Sequence, residues 1–142
     1  MPVLHGAGKL LDKHIFFEGK INEERPDYFA TSQVFCYPAT KASFGITLLE
    51  AMSAGVPVVA CNNRGFRDII QDGVNGLLPR PDDPTALADA LVRVLENKAL
   101  AATLIQNGKK TADSFSWSRV TEQVLAFYNQ IYLKKKGVPF AI

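Results

Sequence analysis

The chain has 142 residues, of which 47% are hydrophobic and 21% charged, as is typical of one globular domain. This composition excludes a disordered or collagen-like chain, and the length is too short for two full domains. Sixteen basic and fourteen acidic side chains give a net charge of +2, far below the positive charge that binding to a phosphate backbone requires, so nucleic acid is not an expected partner.

The longest apolar runs are much shorter than a bilayer span, and residues 1–6 lack the charged and apolar regions of a signal peptide. We therefore expect a cytoplasmic protein without a transmembrane segment. Cys36 and Cys61 lack the spacing of a zinc or redox site, so both are expected to be buried thiols. His5 and His14 are expected to be structural or exposed.

Strands and helices are predicted to alternate along the chain from residue 14 onwards. Strands are predicted where short β-branched or aromatic runs end at glycine or proline, and helices where apolar residues recur three or four positions apart. The predicted strands cover residues 14–18, 34–37, 57–61 and 76–78. The predicted helices cover residues 25–32, 44–54, 66–71, 83–97, 98–112 and 116–133. This order indicates an α/β domain with a partly parallel sheet of about four strands, flanking helices and a helical C-terminal tail.

Several residues mark where these elements begin and end. Asn22 is a candidate cap for the helix over 25–32. Gly55 is a typical helix stop. Asp83 before Pro84 predicts a helix start, because the carboxylate can accept a bond from a free N–H group and proline needs no N–H at the first helical position.

The segment over residues 38–52 combines a strand end, a loop and a helix start. Such a loop places free backbone N–H groups at the carboxyl edge of a parallel sheet, where α/β proteins bind ligands. The N–H groups near Gly45, Ile46 and Thr47 lie at the positive end of the helix and can hold phosphate oxygens. Gly45 also lets a ligand approach the backbone closely.

Glu50 lies about one and a half helical turns after Gly45. Its carboxylate can accept two hydrogen bonds from a ribose diol, each worth about 1.5–3 kcal/mol. The alternative is a glutamate that faces solvent. The apolar residues on either side of it, Leu48, Leu49, Ala51 and Met52, favour a covered position in which a carboxylate needs a partner.

The run from Ala42 to Ala60 resembles the donor-binding signature of retaining group 1 (family 4) glycosyltransferases of the GT-B fold. Further similarity occurs at residues 15–19, 72–78, 82–95 and 115–117, so the resemblance covers about residues 14–133. The sequence is most similar to bacterial enzymes that transfer mannose or glucose, including phosphatidylinositol mannosyltransferases. The resemblance implies a Rossmann-like domain that binds a nucleotide diphosphate sugar within a two-domain transferase.

The resemblance also implies where the donor substrate lies. The implied contacts are Gly19, Lys20 and Ile21 beside the base, Ser43, Phe44, Gly45, Ile46 and Thr47 around the sugar and diphosphate, and Glu50 on the ribose. No cofactor or bound metal is implied, because basic side chains and helix dipoles neutralise the leaving diphosphate in this family. Thr40, Lys41 and Ser43 are explained equally well as contacts to a sugar hydroxyl or as solvent-facing residues.

Two features depart from the family pattern. Ala42 stands where the family has its first acid, and no Asp or Glu occurs between Asp27 and Glu50. The resemblance also finds no counterpart within residues 1–142 for the strands that carry the family's diphosphate-clamping Arg and Lys, or for its acceptor-binding domain. We therefore expect the donor-binding part of a hexosyltransferase, inactive or nearly so by itself. The alternative is a non-catalytic or degenerate nucleotide-sugar module that acts with a partner chain.

The missing strands have a consequence for the sheet. The predicted strand over 14–18 lacks its neighbours, so it is expected either to pair beside another strand or to leave an edge near Val34. That edge would be covered by a second copy or a separate acceptor-domain chain. A dinucleotide-binding oxidoreductase is a poor alternative, because no GxGxxG follows an early strand.

We divide the chain into a lead segment over 1–13, the donor domain over 14–133 and a basic, frayed tail over 134–142. Three lysines at 134–136 follow a helix with many apolar residues. We expect them to complement the C-terminal end of that helix in solvent, and contact with a membrane surface is the alternative.

Overall fold

The computed structural model describes residues 8–136. Two parallel strands, β1 (Phe35–Tyr37) and β2 (Val58–Ala60), lie within a set of helices. The helices are α1 (Arg25–Thr31), α2 (Ile46–Ala54), α3 (Arg64–Arg67), α4 (Pro84–Glu96), α5 (Lys98–Ser114) and α6 (Trp117–Lys135), preceded by a 3-10 turn at Gly8–Leu10. The predicted α/β class with parallel strands and flanking helices is confirmed.

Strand β2 lies at the centre of the sheet. Phe35 is in register with Val58 and Tyr37 with Ala60 on one side. On the other side Leu77 donates to the Val58 carbonyl and accepts from the Ala60 N–H, both at 2.9 Å. The predicted strand over 76–78 is therefore reduced to two isolated parallel bridges, Leu77 with Val59 and Gly76 with Asp72. All three β2 side chains are fully buried, as predicted for a strand covered on both faces.

The predicted strand over 14–18 is wrong. Ile15 makes one isolated bridge with Leu11, and its N–H donates to the Leu10 carbonyl. Since these bonds are local, the segment does not pair beside β1 or β2, and the described residues contain two strands rather than about four. Cover of the edge near Val34 by a second chain stays a prediction.

Side-chain caps mark the starts of α3, α4 and α5. Asp83 caps α4 by accepting from the Ala86 N–H at 2.9 Å, as predicted. The predicted helix over 66–71 is wrong, because the Asn63 side chain accepts from the Phe66 N–H and starts α3 two residues earlier. Asn22 is not a cap; Glu24 precedes α1, and within residues 8–136 no side-chain bond caps that helix.

The core has two parts on opposite faces of β2. Val58 and Ala60 pack with α2 and Phe66, and Val59 packs with α4 and Leu104. Cys61 is buried and Cys36 half-buried, so the thiol prediction is confirmed for Cys61 and in part for Cys36. Burial raises the pKa of both thiols above the ordinary value.

Helix α6 differs from the others because its residues from Thr121 to Tyr132 are all exposed. Lys134 and Lys135 belong to this helix, which corrects the predicted start of a frayed tail at residue 134. The rest of that predicted tail, residues 137–142, lies outside the described residues, as does His5.

His14 is exposed, as expected. Among the described helices, none is long and apolar enough to cross a membrane.

Candidate functional site

The β1–α2 loop (residues 38–45) joins the carboxyl end of β1 to the first turn of α2. It ends at Gly45, whose φ of 100° and ψ of 53° lie in the left-handed region. A Cβ at this position would be 2.9 Å from both Leu48 Cδ1 and Phe66 Cε1. Gly45 is therefore required by backbone conformation and by space.

The start of α2 has free hydrogen-bond donors. The first N–H groups of a helix have no partner within the helix. Asp83 and Asn97 satisfy one such group in α4 and α5, whereas within the described chain no side chain caps α2. The Leu48 N–H donates to the Gly45 carbonyl at 2.9 Å, so the N–H groups of Ile46 and Thr47 are the ones available to an anionic ligand.

A groove of about 940 Å³ opens beside this helix, between α1, α2 and the turn from α5 to α6. We call it the α1–α2 groove. Its lining is mostly apolar and aromatic, with one charged pair. The lining residues are Asn22, Arg25, Pro26, Phe29, Phe44, Ile46, Leu49, Glu50, Ser53, Ala54, Ala112, Phe115, Trp117 and Val120. A concave apolar surface with a few polar groups is typical of a small-molecule site.

Glu50 lies in this groove and pairs with Arg25. Arg25 Nη1 donates to Glu50 Oε2 at 3.0 Å and to Oε1 at 3.3 Å. The two side chains are 41% and 37% exposed, so the carboxylate is neither buried without a partner nor free in solvent. An ion pair at this exposure contributes about 0–1 kcal/mol, so a ligand can replace Arg25 on the carboxylate at small cost.

The structure gathers some of the predicted site residues and not others. Phe44, Ile46 and Glu50 line the groove, and Gly45 lies between the first two. Ser43 and Thr47 belong to the same loop and helix start but are not part of the groove's lining in the described chain. The predicted base-binding residues Gly19, Lys20 and Ile21 also lie outside that lining, which begins at the next residue, Asn22.

Sequence reasoning missed the groove's far wall. Arg25 was not identified as the partner of Glu50, because the two residues are 25 positions apart. The Phe44 and Phe115 rings meet edge to face at a centroid distance of 5.7 Å, and Trp117 follows on the same wall. The resemblance to the family included residues 115–117, and this was the sequence signal that could have placed Phe115 and Trp117 at the site.

Ala42 is the residue that the resemblance places at the family's first acid. Its side chain is half-buried and packs against the core cluster that contains α2 residues and Phe66. Residues 8–136 also contain no group of three or more His, Cys, Asp or Glu side chains that could hold a metal ion.

Residues 6–111, about three quarters of the chain, match the family described as Glycosyl transferases group 1. The chain belongs to this family. It is 37% identical over 127 residues to a phosphatidyl-myo-inositol mannosyltransferase of Mycobacterium leprae, a match that covers 88% of this chain and 34% of that protein. The chain thus spans about a third of the length of such relatives.

Solved structures of GT-B glycosyltransferases share this fold. Sucrose-phosphate synthase from Thermosynechococcus elongatus superposes with a TM-score of 0.74 and 32% identity, over 84% of this chain and 30% of that one. Anabaena HepE, solved in complex with UDP-glucose, superposes with a TM-score of 0.71 and 26% identity, over 78% of this chain and 31% of HepE. The predicted family and fold are therefore confirmed.

Proposed function

We propose that this group 1 glycosyltransferase chain is the donor-binding part of an enzyme that transfers a hexose from a nucleotide diphosphate sugar to an acceptor. One observation carries the proposal. In the part of the chain that the structure describes, no side chain caps the start of α2 at Gly45, and this helix start lies next to the groove that contains Glu50. The UDP-glucose complex of HepE, a structural neighbour, supports the same class of ligand.

In this proposal each group has a defined role. The N–H groups after Gly45 donate to diphosphate oxygens, where the helix dipole also favours negative charge. Glu50 accepts hydrogen bonds from the ribose hydroxyls, which replace Arg25 on its two oxygens. The base enters past residues 19–21, and the groove's aromatic wall lies opposite α2. Catalysis also needs an acceptor-binding part, so we expect residues 1–142 by themselves to have little or no activity; a separate acceptor-domain chain or a second copy is the partner that we propose to test.

Glu50→Gln is the direct test of the ribose contact. We expect the wild-type chain to bind UDP-, GDP- or ADP-glucose or the mannose equivalents, and the variant to bind at least about tenfold more weakly, because it loses charge-assisted hydrogen bonds. Isothermal titration measures both affinities. Glu122→Gln on exposed α6 is the matched control and should bind as the wild type does. Equal affinity in the Glu50 variant, or no binding of any donor at millimolar concentration, would contradict the proposal.

A non-catalytic nucleotide-sugar module is the second candidate, and the observation that favours it is Ala42. The family's first acid holds the transferred hexose, and here a methyl group packed on the core takes its place. Such a module would bind the nucleotide with little discrimination for the sugar attached to it.

Ala42→Glu separates these two candidates. If the site is built to hold a hexose, the new carboxylate should raise affinity for the nucleotide sugar relative to the bare nucleoside diphosphate by about tenfold, the value of one charge-assisted hydrogen bond. Titration of both ligands gives the ratio, and Ala42→Gln supplies the same length without charge. An unchanged ratio would contradict a hexose site at position 42 and favour the non-catalytic module.

A further inference from the structure

Asn63 is a buried residue whose side chain makes two different hydrogen bonds. It is 8% exposed. Its Oδ1 accepts from the Phe66 N–H at 3.0 Å and so caps α3. Its Nδ2 donates to the carbonyl oxygen of Ala39 at 2.9 Å, which lies in the β1–α2 loop. A helix cap needs only the Oδ1 atom. The bond from Nδ2 to Ala39 is therefore not part of the cap and instead ties Asn63 to the loop.

The residues that follow Asn63 contact the same loop. A Cβ at Gly65 would lie 2.7 Å from the Ser43 carbonyl oxygen and closer still to that of Ala42. The Phe66 ring lies against the end of the loop at Gly45. The segment over 63–66 therefore contacts the beginning, the middle and the end of the β1–α2 loop.

We propose that Asn63 is a positioning residue for donor binding, whose Nδ2 holds the β1–α2 loop so that the first N–H groups of α2 face the groove. This inference rests on the proposed function. Asn63 lies beneath the loop and does not line the described groove, so its effect passes through the backbone of residues 39–45. A loop already held in its bound conformation loses less conformational entropy when the ligand binds.

Asn63→Ser and Asn97→Ser form a matched pair. Asn97 caps α5 by accepting from the Leu100 N–H, and its side chain is exposed. Serine is as good a cap as asparagine, so each variant keeps its helix start. At position 63, however, the serine hydroxyl is too short to cap α3 and reach Ala39 as well. Only that variant loses the bond to the loop.

The first readout is the amide NMR spectrum of the ligand-free, ¹⁵N-labelled chain. We expect the resonances of residues 40–45 to shift or broaden in Asn63→Ser and to stay in place in Asn97→Ser. The second readout is affinity for the nucleotide sugar that the wild type binds best, which should fall about tenfold in Asn63→Ser and remain unchanged in Asn97→Ser. Urea midpoints of both variants show whether folding is retained.

Asn63→Asp is a second variant that keeps the size and the cap oxygen but replaces the donor NH2 with a carboxylate oxygen, which also adds a negative charge facing the Ala39 carbonyl. It should give the same loop shifts if the bond to Ala39 matters. Unchanged resonances for residues 40–45 in both Asn63 variants would overturn the proposal, as would equal affinity losses in Asn63→Ser and Asn97→Ser. If the wild-type chain binds no nucleotide sugar, the proposed function and the donor role of Asn63 both fail, while the resonances still decide whether Asn63 holds the loop.

Discussion

Gly45→Ala is expected to destabilise the chain by about 2–5 kcal/mol and to abolish measurable binding of nucleotide sugars. Alanine at a φ of 100° is strained by about 1–2 kcal/mol. The added Cβ would also lie 2.9 Å from Leu48 Cδ1 and from the Phe66 ring, and overpacking of this kind costs about 1–3 kcal/mol. Urea denaturation gives the change in unfolding free energy, and titration gives the change in affinity.

Gly73→Ala is the matched control for this effect. Gly73 also has a positive φ, 74°, but a Cβ there would have no described atom within 4 Å. Its replacement should therefore show the backbone strain alone, about 1–2 kcal/mol, and leave binding unchanged. Equal destabilisation in the two variants would mean that the close contacts at Gly45 contribute nothing.

The local features of this site could be predicted from sequence because they depend on neighbouring residues. A strand that ends before Pro38, a glycine at the helix start and an apolar run to Gly55 specify the β1–α2 unit within about twenty residues. Asp83 before Pro84 defined the start of α4 in the same way. The signature over residues 42–60 also predicted the family, which is confirmed by the family match over residues 6–111; the donor class stays a proposal.

The features that failed depend on partners distant in the sequence. Residues 14–18 have the composition of a strand, but they pair with neither β1 nor β2, and His14 and Ile15 bond to residues 10–12 instead. Helix α3 starts early because Asn63, which is typical of a loop, caps it. Arg25 approaches Glu50 only because α1 packs beside α2. The assignment of individual donor contacts stays a prediction.

Phe66→Ala is expected to have the largest effect on folding, about 3–5 kcal/mol, out of a total of about 5–15 kcal/mol for a domain. Its side chain is fully buried, contacts the Tyr37 ring at a centroid distance of 5.0 Å, and lies against Gly45. Phe16→Ala is the matched control, because that side chain is 61% exposed and should change the unfolding free energy by no more than about 0.5 kcal/mol. Urea denaturation of the two variants measures the difference, and similar losses would show that Phe66 is not the centre of this core.

Because Phe66 lies against Gly45, substitutions at these two positions are expected to have non-additive effects on the free energy of unfolding. Phe66→Leu shortens the ring side chain while keeping the site apolar, so it leaves room for part of the Cβ that Gly45→Ala adds. The two substitutions together should therefore cost at least about 1 kcal/mol less than the sum of their separate costs, as expected for residues in direct contact. If the two costs are strictly additive, the destabilisation by Gly45→Ala comes only from backbone strain and from the contact with Leu48, and not from Phe66. The start of α2 would then be held without help from α3, in conflict with the contacts that join the two segments.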